Sequence, residues 1–542
     1  MAQPHDAPSP DGRDGSTVAV HFADGATKLV HRTAEATVAE ALHAAGIPLE
    51  CPCGGNGTCG KCAVCLAPSG RAVPPSPEDE AALSAEALAR GMRLACRLSP
   101  ASDIAIEVPA SSLPAKASPR MQAAAFNDLT GGELGLAVDL GTTTIAAQLV
   151  CAESGTVLAE CHASNPQSQF GHDVVSRISY AATSQEHALQ LRQCTSQTIE
   201  ALARRLCGKA GQSAQRIRRV VVAANCTMAH LLLAEDASQL GRKPYQPSFE
   251  GTQVRSAQEL GMRDALQPQT EIVCLPHASA FVGGDTIAGA CACGIDLLGS
   301  DALLADIGTN GELALAHEGS VYCCACAMGS ALEGMGIDQG MKAEPGAIDD
   351  ATIAGDKVTI STIGGAPVRG ICGSGLLAAV RELVRTGLVR PNGALVDKPP
   401  IIGQPGLART RRLPLSENPP VALSQHDVRQ VQLARGALRA GLDALARRAG
   451  SPNEAPHSIF VAGEFGKHLS PSSLTGTGFF PRSFAGRIEY VGNASLAGAR
   501  RCLLDAKFLR RVEKLAKQAT VVDLTGDPTF DRRFALLTRF DT

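Results

Sequence analysis

What the sequence has little of narrows the field first. Neither sign of charge dominates: 50 Lys and Arg stand against 53 Asp and Glu, a net charge of −3 over 542 residues. A chain so balanced carries no electrostatic footprint for nucleic acid or for an anionic membrane surface. There is no run of ~20 apolar residues, so a transmembrane helix is not expected. The opening "MAQPHDAPSPDGRDG" lacks the apolar core of an export signal, and its polar, Pro- and Gly-containing character predicts a disordered leader over 1–15. A cytoplasmic protein that binds neither membrane nor nucleic acid is the expectation. Hydrophobic content of 44% and charged content of 19% are ordinary for a globular chain, and the length calls for several domains.

Cysteine is not scarce: there are 19. Without an export signal they do not imply disulfides. Most stand singly in apolar runs such as "VVAANCTMAHLLLA", where a thiol is a small core hydrophobe. His230 in that run reads as a satisfied core histidine, and His172 in "FGHDVVSRI" as a helix-surface or capping one. In "CCACAM", residues 323–328, strand alternation puts Cys324 and Cys326 on one face and Cys323 on the other, again as buried thiols.

The stretch "CPCGGNGTCGKCAVC", residues 51–65, is different, with five cysteines in fifteen residues. Cys53, Cys59 and Cys62 follow the spacing C-x5-C-x2-C, and Cys96 follows after 33 intervening residues in "RLACRLSP". Three thiolates on a Gly-rich loop plus one distant thiolate suit a [2Fe–2S] cluster, because glycines let backbone N–H groups turn toward the sulfurs. The five-residue first gap is that of adrenodoxin-like ferredoxins rather than plant-type ones. Zinc would call for a second C-x2-C pair, which is missing. Cys51 and Cys65 are spare, and Cys53 is the ligand that either could replace. Before the loop, "STVAVHF" and "TKLVHR" read as strands joined by a hairpin at "ADGA". Thr37 with Glu40 makes a capping box for "TVAEALHAAG", closed by Gly46. "SDIAIEVP" reads as the closing strand.

After a Pro/Ser/Ala-rich tether, "PASSLPAKASPRMQ", comes an internal repeat. "DLGTTTIAAQL" at Asp139 aligns with "DIGTNGELALA" at Asp306, 167 residues later. Repeats that far apart mean duplicated domains rather than a solenoid. Each copy is a strand, a tight turn at Gly141 or Gly308, and a returning strand. Turn N–H groups with Thr142, Thr143, Thr144, Thr309, Asn310 and Gly311 form a cradle for phosphate oxygens. Asp139 and Asp306 cannot face phosphate unaided, so they are expected to hold Mg2+ through water. In "RGICGSGLL", Gly373, Ser374 and Gly375 open an amphipathic helix, either as an anion or ligand site or as a simple cap. "SIFVAGEFGKHL" is a strand that breaks at Gly463 and Gly466, as a nucleoside-stacking turn would. "VGNASLAGARRCLL" opens another helix with small residues suited to close packing.

Paired D-x-G-T hairpins resemble the superfamily of actin, sugar kinases, acetate kinase and the heat-shock ATPases. In that resemblance "AVDLGTTT" and "ADIGTNGE" are the two phosphate loops and "AGEFG" the adenosine motif. "GNASLAGA" and "VVAANCTMAHLL" are the two connecting helices. The whole order is more specific: a [2Fe–2S] domain, a linker and this ATPase resemble the reductive activators of corrinoid proteins. "NPQSQFGHDVVSRISYA", "FVGGDTIAGA", "EPGAIDD", "GICGSGLL" and the tail "LTGDPTFDRRFALLTRF" carry the same likeness over nearly all the chain after residue ~15. The chain departs from the pattern at Glu464, where a second adjacent glycine is usual, and at Ser330, where a proline is common. No extra domain stands between linker and ATPase.

The resemblance implies an α+β and α/β protein. A β-grasp [2Fe–2S] ferredoxin domain spans 16–110, a linker 111–132, and duplicated RNase H-like ATPase subdomains 133–300 and 301–542, with C-terminal helices returning to the first subdomain. It implies ATP-driven, one-electron reduction of an inactive Co(II) corrinoid protein to Co(I), with an upstream electron donor and, unmarked by any residue, a homodimer. A ferredoxin-type cluster near −400 mV falls short of Co(I). A gap of a few hundred millivolts costs roughly 5–10 kcal/mol per electron, at ~59 mV per 1.4 kcal/mol, which ATP can supply. Asp306, Glu312 and Glu333 are the candidates for activating water. Two other readings stand beside this one: a small-molecule kinase with a redox-sensing ferredoxin domain, and an ATP-gated chaperone that passes no electron.

Overall fold

The structure, a computed structural model, describes residues 15–540 apart from 22–26, 35, 46, 48, 50–56, 58, 59, 61, 68–72, 101, 110, 111, 113–131, 172, 299, 300, 356, 397–411, 418, 419, 452–455, 464–468 and 485. The chain divides into two compact units, Met1–Arg120 and Met121–Thr542.

In the first unit, β1 (Gly15–His21) and β2 (Thr27–Thr33) pair antiparallel in register Gly15 to Thr33. The expected turn between them, "ADGA", lies outside the described residues, as does Gly46. Helix α1 (Val38–Ala44) follows. Its start is fixed as expected: the Thr37 amide donates to Glu40 at 2.7 Å, and the Glu40 amide donates to the Thr37 hydroxyl at 3.3 Å. Strand β3 (Ala63–Leu66), helices α2 (Pro77–Ala82) and α3 (Ala85–Ala89), and strands β4 (Met92–Leu94) and β5 (Ile104–Glu107) complete the unit. The sheet order is β2-β1-β5-β3-β4, with β1 and β5 parallel. Val18, Val20, Leu42, Val64 and Ile106 fill one core beneath it. Ser112, nominally in the tether, is buried and its hydroxyl donates to the Ala63 carbonyl at 2.5 Å.

The second unit holds two six-stranded sheets built alike. In the first, β6 (Leu134–Leu140), β7 (Thr144–Cys151) and β8 (Val157–Ser164) form an antiparallel meander. After α4 (Val174–Ala181) and α5 (Gln185–Lys209), β9 (Ile217–Ala224) adds parallel to β6. Helix α6 (Cys226–Leu233) and strands β10 (Gln253–Ser256) and β11 (Glu271–Cys274) follow, then α7 (Gly284–Cys293). In the second sheet, β12 (Ala302–Ile307), β13 (Asn310–His317) and β14 (Ser320–Ala327) repeat the meander. A small sheet of β15 (Ala347–Ala354), β16 (Lys357–Thr362) and β17 (Gly370–Ile371) leads into α8 (Gly373–Arg385). The hairpin β18 (Arg412–Glu417) and β19 (Pro420–Ser424) leads into α9 (Gln425–Ala449). Strand β20 (Ser458–Ala462) then pairs parallel to β12. Helix α10 (Pro471–Gly476), strand β21 (Ile488–Gly492), helices α11 (Ala494–Leu504) and α12 (Ala506–Gln518), strand β22 (Thr520–Val521) and helix α13 (Phe530–Leu537) end the chain. Orders β8-β7-β6-β9-β11 and β14-β13-β12-β20-β21 match strand for strand. The duplication read from two hairpins therefore extends to whole subdomains.

Helix α11 lies on β6: a Cβ on Gly135 would come within 2.5 Å of Leu503. It also crosses α7 closely, since a Cβ on Gly498 would meet the Ala288 carbonyl at 2.5 Å, and Gly289 faces Ala494. This corrects one expectation. The helix opposite α11 is α7, not the α6 of "VVAANCTMAHLL". Close crossing requires small residues, and α7 reads "GDTIAGACAC". Helix α6 instead points Met228, Leu231 and Leu232 into the first subdomain's core. His230 there is wholly buried and satisfied: its Nδ1 bonds the Cys226 carbonyl at 2.7 Å and its Nε2 accepts from the Ser248 amide at 3.0 Å. Cys324 and Cys326 fall in one core and Cys323 in another, as alternation required. Among the described residues no helix is long and apolar enough to cross a membrane.

Candidate functional site

The two repeat hairpins end at the carboxyl edges of their sheets, the edge where open α/β sheets take ligands. At the first, the Gly141 amide donates to the Thr144 carbonyl at 3.0 Å, and a Cβ on Gly141 would stand 2.7 Å from that same oxygen. Only glycine closes this turn. The turn is braced from outside: Asn165 donates through its Nδ2 to the Gly141 carbonyl (2.9 Å) and through its amide to the Thr143 carbonyl (2.8 Å). Asn225, the N-cap of α6, donates to the Thr142 hydroxyl at 3.2 Å. At the second hairpin, the Gly308 amide donates to the Asn310 carbonyl at 3.0 Å. Gly311 is packed under Met328 and Cys326, with no room for a side chain. The Thr309 hydroxyl donates to Glu333.

Four carboxylates converge here. Asp139 ends β6, Asp306 ends β12, Glu312 pairs with Asp306 across β12 and β13, and Asp285 is the second residue of α7. All four are partly exposed, and among the described residues no lysine or arginine forms an ion pair with any of them. Burial lifts the Asp306 carboxyl to about 7, with the charges of Asp139 and Asp285 adding to the effect. Burial raises Glu312 well above its ordinary range, with Asp285 and Asp306 contributing. Asp285 is raised by burial and by Asp139. Asp139 is also raised by burial, but two donors oppose the shift. Asn493 Nδ2 donates to it at 2.7 Å and Ser495 Oγ at 2.8 Å, both from the start of α11. Helix α11 thus holds the first hairpin's aspartate, while α7, packed against it, supplies Asp285.

Gly463 belongs to the same place. It has φ +102°, and a Cβ there would stand 2.5 Å from the Ile307 carbonyl and 2.9 Å from Asp306 Oδ1. Gly283 likewise fits against Asn225 and Asp285 with no room for a side chain. Gly373, Ser374 and Gly375 do start α8, but the structure buries them. A Cβ on Gly373 would meet the Leu332 carbonyl at 1.8 Å, and one on Gly375 the Ile348 carbonyl at 2.1 Å. Their smallness has a packing reason. Glu333 stands apart from the carboxylate group and holds Thr309. His172, Glu464 and Gly466 lie outside the described residues.

Sequence reading found Asp139, Asp306, Glu312 and the hairpin residues. It missed Asp285, Asn493, Ser495, Asn225 and Asn165. Asp285 lay in the quoted "FVGGDTIAGA", a helix start with an acid in its first turn. Nothing in a single chain told that this acid faces the other three. The residues present fit a divalent cation: four neighbouring carboxylates, each raised by burial and three of them also by one another's charges, beside the two repeat turns. Among the described residues no group of three His, Cys, Asp or Glu could hold a metal ion directly.

In the first unit, Cys51, Cys53 and Cys59 lie outside the described residues. Cys62 and Cys96 are buried and not joined in a disulfide, and the Cys62 thiol donates to the Cys96 sulfur at 3.3 Å. Two thiolates on one tetrahedral metal, with bonds near ~2.3 Å, stand roughly 3.8 Å apart, so this pair fits one iron of a cluster. Cys65, one of the spares, donates its thiol to the Arg90 carbonyl at 3.1 Å.

Comparison with known proteins follows this division. Residues 21–101 match the 2Fe-2S iron-sulfur cluster binding domain, 134–297 the RACo middle region, and 300–541 the C-terminal domain of RACo, the ASKHA domain. The chain is 30% identical over 421 residues to the corrinoid activation enzyme RamQ of Eubacterium limosum, covering 75% of this chain and 70% of that one. It is 27% identical over 277 residues to the [Co(II) methylated amine-specific corrinoid protein] reductase of Methanosarcina barkeri, covering 46% and 47%. A solved structure of a reductive activator for corrinoid, iron-sulfur protein superposes with a TM-score of 0.69 at 28% identity, over 96% of this chain and 98% of that one.

Proposed function

The chain belongs to the family of reductive activators of corrinoid proteins, and from that premise we propose that it couples ATP hydrolysis to one-electron reduction of an inactive Co(II) corrinoid protein, returning it to Co(I). The observation that carries this reading is the convergence of Asp139, Asp285, Asp306 and Glu312 on two phosphate-cradling turns, in one chain with the paired sulfurs of Cys62 and Cys96.

The turns at Gly141–Thr144 and Gly308–Gly311 bind phosphate through their amides and hydroxyls. Braced by Asn165, Asn225 and Glu333, they need no rearrangement to do so, which is the preorganisation phosphoryl chemistry asks for. Asp139, Asp285, Asp306 and Glu312 would hold Mg2+, which would supply the charge that lets phosphate approach them. Gly463 leaves Asp306 uncovered. With its carboxyl lifted to about 7, Asp306 takes a proton from an attacking water near neutral pH, which makes it the base of choice here. Asn493 and Ser495 keep Asp139 fixed, so a change at the phosphates is felt at the start of α11. In the other unit, Cys62 and Cys96, with Cys53 and Cys59, would hold the [2Fe–2S] cluster, which supplies electrons one at a time.

The test mixes dithionite-reduced protein, MgATP and a Co(II) corrinoid protein under anaerobic conditions. A Co(I) absorption band that appears with ATP and not without it is the expected result. A phosphorylated small molecule in place of Co(I), or reduction indifferent to ATP, would refute the proposal.

A further inference from the structure

Helix α2 lies against Gly57 and Gly60 of the cysteine loop. A Cβ on Gly57 would stand 3.1 Å from Glu78 Cβ, and one on Gly60 3.2 Å from the Ala82 carbonyl. On this helix Asp79 is 4% exposed. Its Oδ2 accepts from the Ser76 amide at 2.8 Å and its Oδ1 from the Leu94 amide at 2.7 Å. No cation among the described residues pairs with it. The first bond closes a capping box, which any small helix can use. The second is not a cap: it ties the carboxylate to β4, across the fold. Leu94 pairs with Ala63, next to Cys62, and lies two residues before Cys96. The Ala95 amide between them donates to the Cys62 carbonyl at 3.1 Å. Two Cα steps of 3.80 Å keep Leu94 within about 7.6 Å of Cys96 along the backbone.

A buried, unpaired carboxylate is an unusual thing to place there. Its field acts through the low-dielectric interior and is poorly screened. A group held by Cys62 and Cys96 gains one negative charge when it takes up an electron, and that charge is repelled by Asp79. We propose that Asp79 is a potential-setting residue: its buried carboxylate disfavours the reduced cluster and so keeps the electron strongly reducing, as delivery to Co(II) demands. Glu78, on the same helix, is 43% exposed and lies 3.8 Å from the Arg97 guanidinium, so solvent and a counter-charge cancel its influence. The proposal rests on Cys62 and Cys96 holding the cluster.

The experiment is an EPR-monitored redox titration of the full-length protein, reconstituted with iron and sulfide, against dithionite and mediators. Asp79→Asn and Asp79→Ser remove the charge and keep an acceptor for the Leu94 amide. Both are expected to raise the reduced-to-oxidised ratio at a fixed potential at least threefold, about 28 mV at 59 mV per tenfold. Glu78→Gln is expected to change it less than 1.5-fold. Unchanged ratios in Asp79 variants whose cluster spectrum is intact overturn the proposal. So does loss of the cluster in both neutral variants while Asp79→Glu retains it, since that assigns Asp79 to assembly alone. Absence of any paramagnetic signal from the reduced wild-type protein would instead sink the cluster reading itself.

Discussion

Replacing Asp306 by Asn should stabilise the ligand-free protein while destroying its ATPase. The carboxyl moves from an ordinary 3.8 to about 7 on folding. At ~1.36 kcal/mol per pKa unit, keeping it ionised in the fold costs at most roughly 4 kcal/mol, and partial contact with solvent reduces this to ~2–3 kcal/mol. The sign follows from the direction of the shift. Below pH 3.8 the group is protonated in both states and costs nothing. Between 3.8 and about 7 the unfolded chain releases the proton and the folded one keeps it, so stability falls as pH rises. Above about 7 the loss is complete. An asparagine in its place cannot ionise, and the variant's stability should not follow that slope. For a unit spanning Met121–Thr542, an unfolding entropy of ~2.1 cal/mol/K per residue makes 2–3 kcal/mol worth roughly 2–4 °C. The assay is scanning calorimetry in EDTA at pH 4.5 and pH 8, with and without Mg2+ and a non-hydrolysable nucleotide. Asp306→Asn should melt higher than wild type at pH 8 and by only about a quarter of that gap at pH 4.5, and Mg2+-nucleotide should close the gap by stabilising only wild type. An equal melting temperature at pH 8, or the same gap at both pH values, would falsify the electrostatic account of this site.

Other consequences are as direct. Gly463→Ala puts a methyl group 2.5 Å from the Ile307 carbonyl at φ +102°, so nucleotide affinity measured by calorimetric titration should fall at least tenfold with ~1–3 kcal/mol of destabilisation. Ser495→Ala removes one donor from half-buried Asp139, costing ~1–3 kcal/mol. Steady-state ATPase should drop, while the cluster's EPR signal should be unchanged. Cys62→Ser should abolish the [2Fe–2S] absorption and leave ATP binding intact, whereas Cys65→Ser, whose thiol faces Arg90, should leave both intact. Glu333→Gln should keep Thr309 bonded and retain most activity, while Glu333→Ala should free the Thr309 hydroxyl and raise KM for ATP several-fold.

The parts of this molecule that follow from local rules were legible in its sequence. The Thr37–Glu40 capping box, the closing strand of the first unit, the burial of Cys323, Cys324 and Cys326 on opposite faces, and the paired hairpins all depend on residues within a few positions of one another. The subdomain duplication was visible because both copies kept the same turn chemistry, which glycine at 141 and 308 imposes. What was not legible depends on which distant helices meet. Helices α6 and α7 both follow parallel strands and both carry apolar residues, and a choice between them as the partner of α11 needs the three-dimensional crossing. The same holds for Asn493 and Ser495, which look like a helix start in the chain and become donors to Asp139 only through a contact spanning more than 350 residues.

That long contact also separates two residues which the repeat makes formally equal. Asp139 and Asp306 end corresponding strands and precede corresponding turns, yet their surroundings differ. Asp139 receives two hydrogen bonds from α11, and these donors favour its charged form. Asp306 receives none among the described residues, and faces the charges of Asp139 and Asp285 beside the bare Gly463. One duplicated carboxylate is therefore fixed, the upward push of its burial opposed by two donors, while the other has no such donor among the described residues and is lifted to about 7, a difference that suits separate roles for the pair. The difference arises outside both hairpins, from the helix that the C-terminal half returns to the first sheet. Loss of the α11 donors should therefore make the two aspartates alike. In the Asn493→Ala/Ser495→Ala double variant, the acidic limb of the ATPase pH profile should move upward and lose its single-proton slope, because Asp139 then titrates with Asp306. An acidic limb unchanged in position and slope would show that α11 does not set the division of labour.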